Sequence, residues 1–116
     1  MDRKKELKEQ FKNYKPQRGI VAFIVRETGK NYLTAAMDVR TRVNSLKVRL
    51  DSRMYNGSRN KNLQRDWDQY GEQGFIIRVV EELDCKEDDT EADCREELEE
   101  MLDDWLSQDE EAEIIL

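Results

Sequence analysis

The sequence predicts an α+β domain with a small three-stranded antiparallel sheet flanked by helices, and three observations carry that expectation. Two β-type runs, residues 20–25 and 31–35, are separated by Thr28-Gly29-Lys30, which has the composition of a hairpin turn. Three stretches, 39–50, 61–70 and 91–106, repeat apolar residues every three or four positions among charges, the period of a helix with one buried face. A further apolar run over 75–80 falls between the second and third of these and reads as a third, buried strand. The chain of 116 residues is long enough for one domain and too short for two ordinary ones. Its core is small, because only 26 residues are Leu, Ile, Val or Phe, just above the level of about 20% below which highly charged chains stay disordered.

Taken in order, residues 2–13 place Leu7 and Phe11 one turn apart among charges, which predicts a short amphipathic helix stopped before Pro16. It belongs to an N-terminal helical extension over residues 1–18. Gly19 then opens the hairpin. Asp38 suits an N-cap for a helix with Val39, Val43, Leu46 and Leu50 on its apolar stripe, ending before Asn56-Gly57. The next helix presents Leu63, Trp67 and Tyr70 on one face, and Gly71 is its C-terminal stop. Phe75 begins the third strand, and Trp67 and Phe75 are expected in the core. The last helix closes the domain with Leu98, Met101, Leu102, Trp105 and Leu106 on its stripe. The domain proper is therefore read as residues 19–106, followed by an acidic C-terminal tail, 107–116.

Composition excludes several classes of function. Residues 20–25 form the longest apolar run, far below the roughly 18 residues of a spanning helix. The start MDRKKELKEQ has no apolar stretch of the signal-peptide kind. No membrane partner is expected, and the chain reads as cytoplasmic. Histidine is absent, which removes imidazole as a general base and every Ser-His or Cys-His nucleophile pair. Cys85 and Cys94 make neither a CxxC pair nor a four-ligand metal set; they are read as two free thiols in a reducing compartment.

The net charge of −7 conceals a division of the chain. Residues 1–80 hold 18 basic and 9 acidic side chains, whereas residues 81–116 hold 2 basic and 18 acidic. Arg40, Arg42, Lys47, Arg49, Arg53, Arg59, Lys61 and Arg65 follow one another with Asp51 as the one intervening acid, a candidate polyanion-binding surface. The alternative is that these are solvated helix faces whose stems cover apolar neighbours. The acidic end is either a solubilising helix and tail or an internal competitor lying over the basic surface.

The stretch Asn62-Leu63-Gln64-Arg65-Asp66-Trp67-Asp68-Gln69-Tyr70-Gly71, followed by Phe75 and by Val79-Val80-Glu81-Glu82-Leu83, resembles the LQ-x-D-W-x-x-Y-G, F and V-L-E-E-L run of the GIY-YIG nuclease family, of the phage homing-endonuclease type. Gly19-Ile20-Val21 corresponds to the family's first motif and Tyr32-Leu33-Thr34 to its second, thirteen residues on. The resemblance covers about residues 19–83 well and 91–106 loosely. It implies a three-stranded sheet with flanking helices and a phosphodiesterase site. In that site two Tyr, an Arg, a His and a late-helix Glu surround the scissile phosphate and one divalent metal. Tyr oxygens would orient the attacking water, Arg would neutralise phosphoryl charge, and the carboxylate would hold Mg²⁺.

Only part of that set is kept. Tyr32 stands at the second-motif Tyr and Arg42 at the helix Arg. Val21 replaces the first-motif Tyr and cannot hydrogen-bond a water. Leu46 replaces the His, and Thr34 replaces the motif Gly. Leu102 falls at the metal Glu unless the helix is shifted by a turn, which offers Glu99 as the metal ligand. Structural roles compete for the survivors: Tyr32 could pack its ring on the first helix, and Arg42 could pair with Asp38. The expected function is a non-cleaving nucleic-acid-binding or regulatory module. It would bind DNA or RNA weakly through Arg40, Lys47, Arg49, Arg53, Arg59, Lys61 and Arg65, or else a protein partner. No cofactor is expected, and Mg²⁺ only if cleavage survives. The alternatives are an active metal-dependent endonuclease using Tyr32, Arg42 and Glu99, and a protein-interaction module working through the acidic helix.

Overall fold

A computed structural model describes residues 16–54 and 59–116. The helix expected over 2–13 and the Asn56-Gly57 turn lie outside the described residues. Strand β1 (Arg18–Val25) and strand β2 (Asn31–Ala36) form the expected hairpin, with Phe23 opposite Tyr32 and Val21 opposite Thr34. Helix α1 (Val39–Asp51) starts where the Asp38 carboxylate accepts the Thr41 N–H at 3.2 Å, satisfying one of the first-turn donors that have no partner inside the helix. Helix α2 (Lys61–Tyr70) stops at Gly71, whose φ of +70° is the left-handed backbone that ends a helix without a Cβ penalty. A short 3₁₀ turn (Glu72–Gly74) leads into strand β3 (Phe75–Leu83). Helix α3 (Glu91–Gln108) opens on a reciprocal capping box between Thr90 and Asp93.

The sheet has four strands in the order β3-β1-β2-β4, not the three expected. The fourth, β4 (Glu113–Ile114), runs parallel to β2 and pairs with Tyr32 and Leu33, so the sheet is mixed. The segment 107–116, read from sequence as an acidic tail, is part of the fold. Ser107 and Gln108 finish α3, and the chain then turns back so that Ile115, 3% exposed, enters the core. Ile115 also donates its N–H to the Leu33 carbonyl at 2.8 Å.

Alternation along β1 divides the interior into two layers. Val21, Phe23 and Val25 face α1 and α2, packing with Leu46, Leu50, Leu63, Trp67 and Phe75. Ile20 and Ala22 face the other way, with Leu33, against Leu98 and Leu102 of α3. Trp67 and Phe75 are each 4% exposed, as the sequence predicts, with ring centroids 5.2 Å apart. β1 and β3 slip register between Ile20 and Val21, leaving Val80 as the extra residue of a bulge. Next to it, a Cβ at Gly19 would overlap the Glu81 carbonyl oxygen, so the position needs glycine for space rather than for torsion.

The cysteines are not free. Cys85 and Cys94 form a disulfide. The turn after β3 folds back through hydrogen bonds between Lys86 and Asp89, at 2.9 and 3.0 Å, and brings the two Cα atoms to 6.2 Å, within the span a disulfide bridges.

Candidate functional site

Tyr32 and Thr34 occupy alternate positions of β2 and so point to the same layer as α1 and α2. Tyr32 is buried, and its hydroxyl donates to the Asp66 carboxylate on α2. Burial pushes the phenol well above its ordinary pKa; the bond to Asp66 and the Asp66 and Glu113 charges push the same way, against Arg65. A phenol so held is a committed hydrogen-bond donor at neutral pH.

Arg42 lies on the inner side of α1 and donates both Nε and Nη2 to Thr34 Oγ1, each at 3.2 Å. Thr34 therefore serves as the seat of the guanidinium. Val21 and Leu46, which the resemblance sets against a Tyr and a His, are both fully buried. They complete the hydrophobic layer that α1 and α2 share with the sheet.

Glu99 is not part of this group. It is exposed on α3, and α3 packs on the opposite face of the sheet through its neighbours Leu98 and Leu102. The sheet thus separates Glu99 from Tyr32 and Arg42. The nearest carboxylate to Tyr32, that of Asp66, is committed to the phenol. The donor set on the α1–α2 side does not fit Mg²⁺, since a hard cation needs several free oxygen ligands. Among the described residues no group of three or more acidic or cysteine side chains is arranged to hold a metal.

The basic candidates all lie on the α1–α2 side. Arg40, Arg59, Lys61 and Arg65 are exposed, Arg49 is half-buried, Lys47 pairs with Glu72 at 2.7 Å, and exposed Arg53 lies 3.8 Å from Asp68. Arg40 and Lys47 rim an open groove between α1 and β3, floored by Val21, Val43, Ile77 and Val79. On the other face, α3 carries eight acids and one base, Arg95, which pairs with Glu91. The acidic helix does not cover the basic surface; the sheet lies between them.

A polar cluster missed in the sequence joins β4 to this side. Glu113 accepts from Asn62 at 3.0 and 3.1 Å and pairs with Lys30 at 3.1 Å. Asn60 binds the Leu116 backbone through both halves of its amide, at 3.0 and 3.1 Å. Nothing local marks Asn60, Asn62 or Glu113 in the sequence, since their partners are 51 to 83 positions away; Asp66 stands in the LQ-x-D-W run, but its partner Tyr32 is 34 positions away. No described helix is long and apolar enough to cross a membrane. Comparison with family models, with curated proteins and with solved structures gives no match.

Proposed function

We propose that this chain is a GIY-YIG-like domain with a degraded catalytic site that binds nucleic acid without cutting it. The observation that carries the reading is the segregation of charge across the sheet. Exposed Arg40, Arg59, Lys61 and Arg65 lie on one side, and the eight acids of α3 lie on the other. A surface of that kind attracts phosphates through counterion release and needs no base contact to do so. The resemblance implies a three-stranded sheet flanked by helices; the hairpin and β3 supply three strands, and β4 adds a fourth, parallel one.

Loss of cutting is supported by the fate of the motif positions. Val21 and Leu46 serve as core, Tyr32 is committed to Asp66, and Glu99 faces away. Removing one oxyanion-type stabiliser typically costs about 10² to 10³ in rate, and several groups are missing together.

The test is binding of duplex and single-stranded oligonucleotides of mixed sequence at 50 and 200 mM salt, with a parallel cleavage assay in Mg²⁺ and Mn²⁺. Binding that weakens steeply with salt and no cleavage is the expected outcome. Metal-dependent cleavage abolished by Arg42→Ala would instead establish the endonuclease. Absence of binding by a correctly folded chain would leave a protein-interaction module working through α3.

A further inference from the structure

The two sulfurs of the Cys85–Cys94 disulfide sit in unlike surroundings. Cys94 is 2% exposed and lies on the first turn of α3, with its N–H bonded to the Thr90 carbonyl at 3.1 Å. Its side chain leans back toward the helix N-terminus, where the dipole favours negative charge. From β1, Arg18 Nη1 approaches Cys94 Sγ at 3.8 Å. The Nε of the same guanidinium is buried and has no hydrogen-bond partner among the described residues. That Nε is a buried donor left unsatisfied beside a neutral disulfide sulfur. The same sulfur as a thiolate would be its counter-ion.

Charges near the bond come both from the turn after β3, where Asp84 and Lys86 flank Cys85, and from α3. Glu91 pairs with Arg95 at 2.9 Å, and Asp93 accepts the Thr90 N–H at 3.1 Å. Cys85 is half-buried between Asp84 and Lys86 and lines a surface groove in which Glu82, Asp84, Glu87 and Asp89 face two cations, Arg18 and Lys86. The groove beside Cys85 is open and carries more acids than bases, whereas Cys94 is buried with Arg18 Nη1 against its sulfur.

We propose that Cys85–Cys94 is a reversible thiol–disulfide exchange site, attacked at Cys85 Sγ by small cationic or neutral thiols, with Arg18 holding Cys94 as the departing thiolate. In the first step the incoming thiolate bonds to Cys85 Sγ. The Cys85–Cys94 bond breaks, and its electron pair leaves on Cys94 Sγ. A second thiolate attacks the external sulfur of the mixed disulfide, and Cys85 departs as a thiolate that takes a proton from water. Two external thiols thereby become one disulfide, and the protein pair gains the two electrons. The less buried sulfur is the one attacked, and the sulfur with the more stable thiolate is the one that leaves. The acidic groove selects against an anionic thiol such as glutathione. This site is independent of the nucleic-acid reading.

The experiment treats the full oxidised chain with cysteamine or with glutathione at equal thiolate concentration, traps the products by alkylation and locates them by peptide mass spectrometry. The adduct is expected on Cys85. Cysteamine should react about tenfold faster at low salt, and the difference should shrink as salt is raised. In Cys85→Ser, the pH profile for alkylation of Cys94 should shift upward on adding Arg18→Gln, by roughly one unit, a tenfold change in thiolate at neutral pH. Arg18→Lys should keep it low, which separates charge from packing. An adduct on Cys94, an unshifted profile in Arg18→Gln, or ready alkylation of both cysteines without reductant would each overturn the proposal.

Discussion

The Tyr32 hydroxyl donates to the Asp66 carboxylate, tying strand β2 to helix α2 across 34 residues of sequence. Each partner decides what the other can do. The phenol is kept protonated, and the carboxylate is withheld from any cation. Because the bond lies beside the Glu113 cluster, it also ties the α1–α2 side of the domain to its last strand.

A phenol raised above its ordinary pKa binds its proton more tightly in the folded than in the unfolded chain. Its contribution to stability is complete below about pH 10, the unfolded value, and is lost as pH rises beyond that toward the folded one. In a spectrophotometric titration, one of the four tyrosines should stay protonated until the protein unfolds. Tyr32→Phe should remove that late transition and cost about 1.5 to 3 kcal/mol, the range for a hydrogen bond to a charged group. Urea unfolding measures the second effect.

Trp67 stacks obliquely between Phe75 and Phe23, with centroids at 5.2 and 6.3 Å, and donates Nε1–H to Asp51 at 2.9 Å. Truncation leaves a cavity and an orphaned carboxylate together. Trp67→Ala should cost about 3 to 5 kcal/mol. Asp51→Ala keeps the ring and should cost much less, so the pair of variants separates packing from the hydrogen bond.

Removing residues 109–116 should destabilise the domain and not merely shorten it. Ile115 leaves the core, and Ile115→Ala alone should cost about 2 to 5 kcal/mol. The same segment should make stability fall in acid. The hydrogen bond from Asn31 holds Asp109 below the ordinary carboxylate range. Burial pushes Glu113 up, but Asn62 and Lys30 outweigh it and hold it low. Carboxylates with depressed folded values contribute stability that is complete above their unfolded pKa and lost as pH falls through the folded one. Melting temperatures between pH 6 and pH 3 should drop less in Asn62→Ala, which starts from a lower plateau.

If the α1–α2 side binds nucleic acid, Arg40→Ala, Lys61→Ala and Arg65→Ala should each weaken it about equally for every sequence. Each should also reduce the slope of log K against log salt by up to about one. Glu99→Gln, on the opposite face, should leave the slope unchanged. A slope altered by Glu99→Gln but not by the three basic variants would move the interface to α3.

The hairpin, α1, α2 and β3 were legible because each rests on a local period or a local stop: Asp38 before α1, Gly71 after α2, alternation along 20–25. The stripe of α3 was equally plain, but a stripe does not say which face of a sheet it will cover. Glu99 could therefore be grouped with Tyr32 and Arg42 although the sheet divides them. Strand β4 has two residues in an acidic stretch and owes its place to Leu33, Asn60 and Asn62, all distant in sequence. The disulfide depended on a turn over residues 84–90 whose closure by Asp89 and the Thr90 cap has no apolar signature.

With the bases of α1 and α2 on one side of the sheet and the acids of α3 on the other, the described residues set up an electric dipole across the sheet. Net charge governs the molecule's migration in a field, but adsorption is governed by whichever face meets the surface. At low ionic strength the protein should therefore be retained by cation-exchange as well as anion-exchange resin, in spite of its pI of about 4.8. Copies in concentrated solution should attract one another head to tail, with light scattering that falls as the Debye length shortens below the thickness of a helix layer.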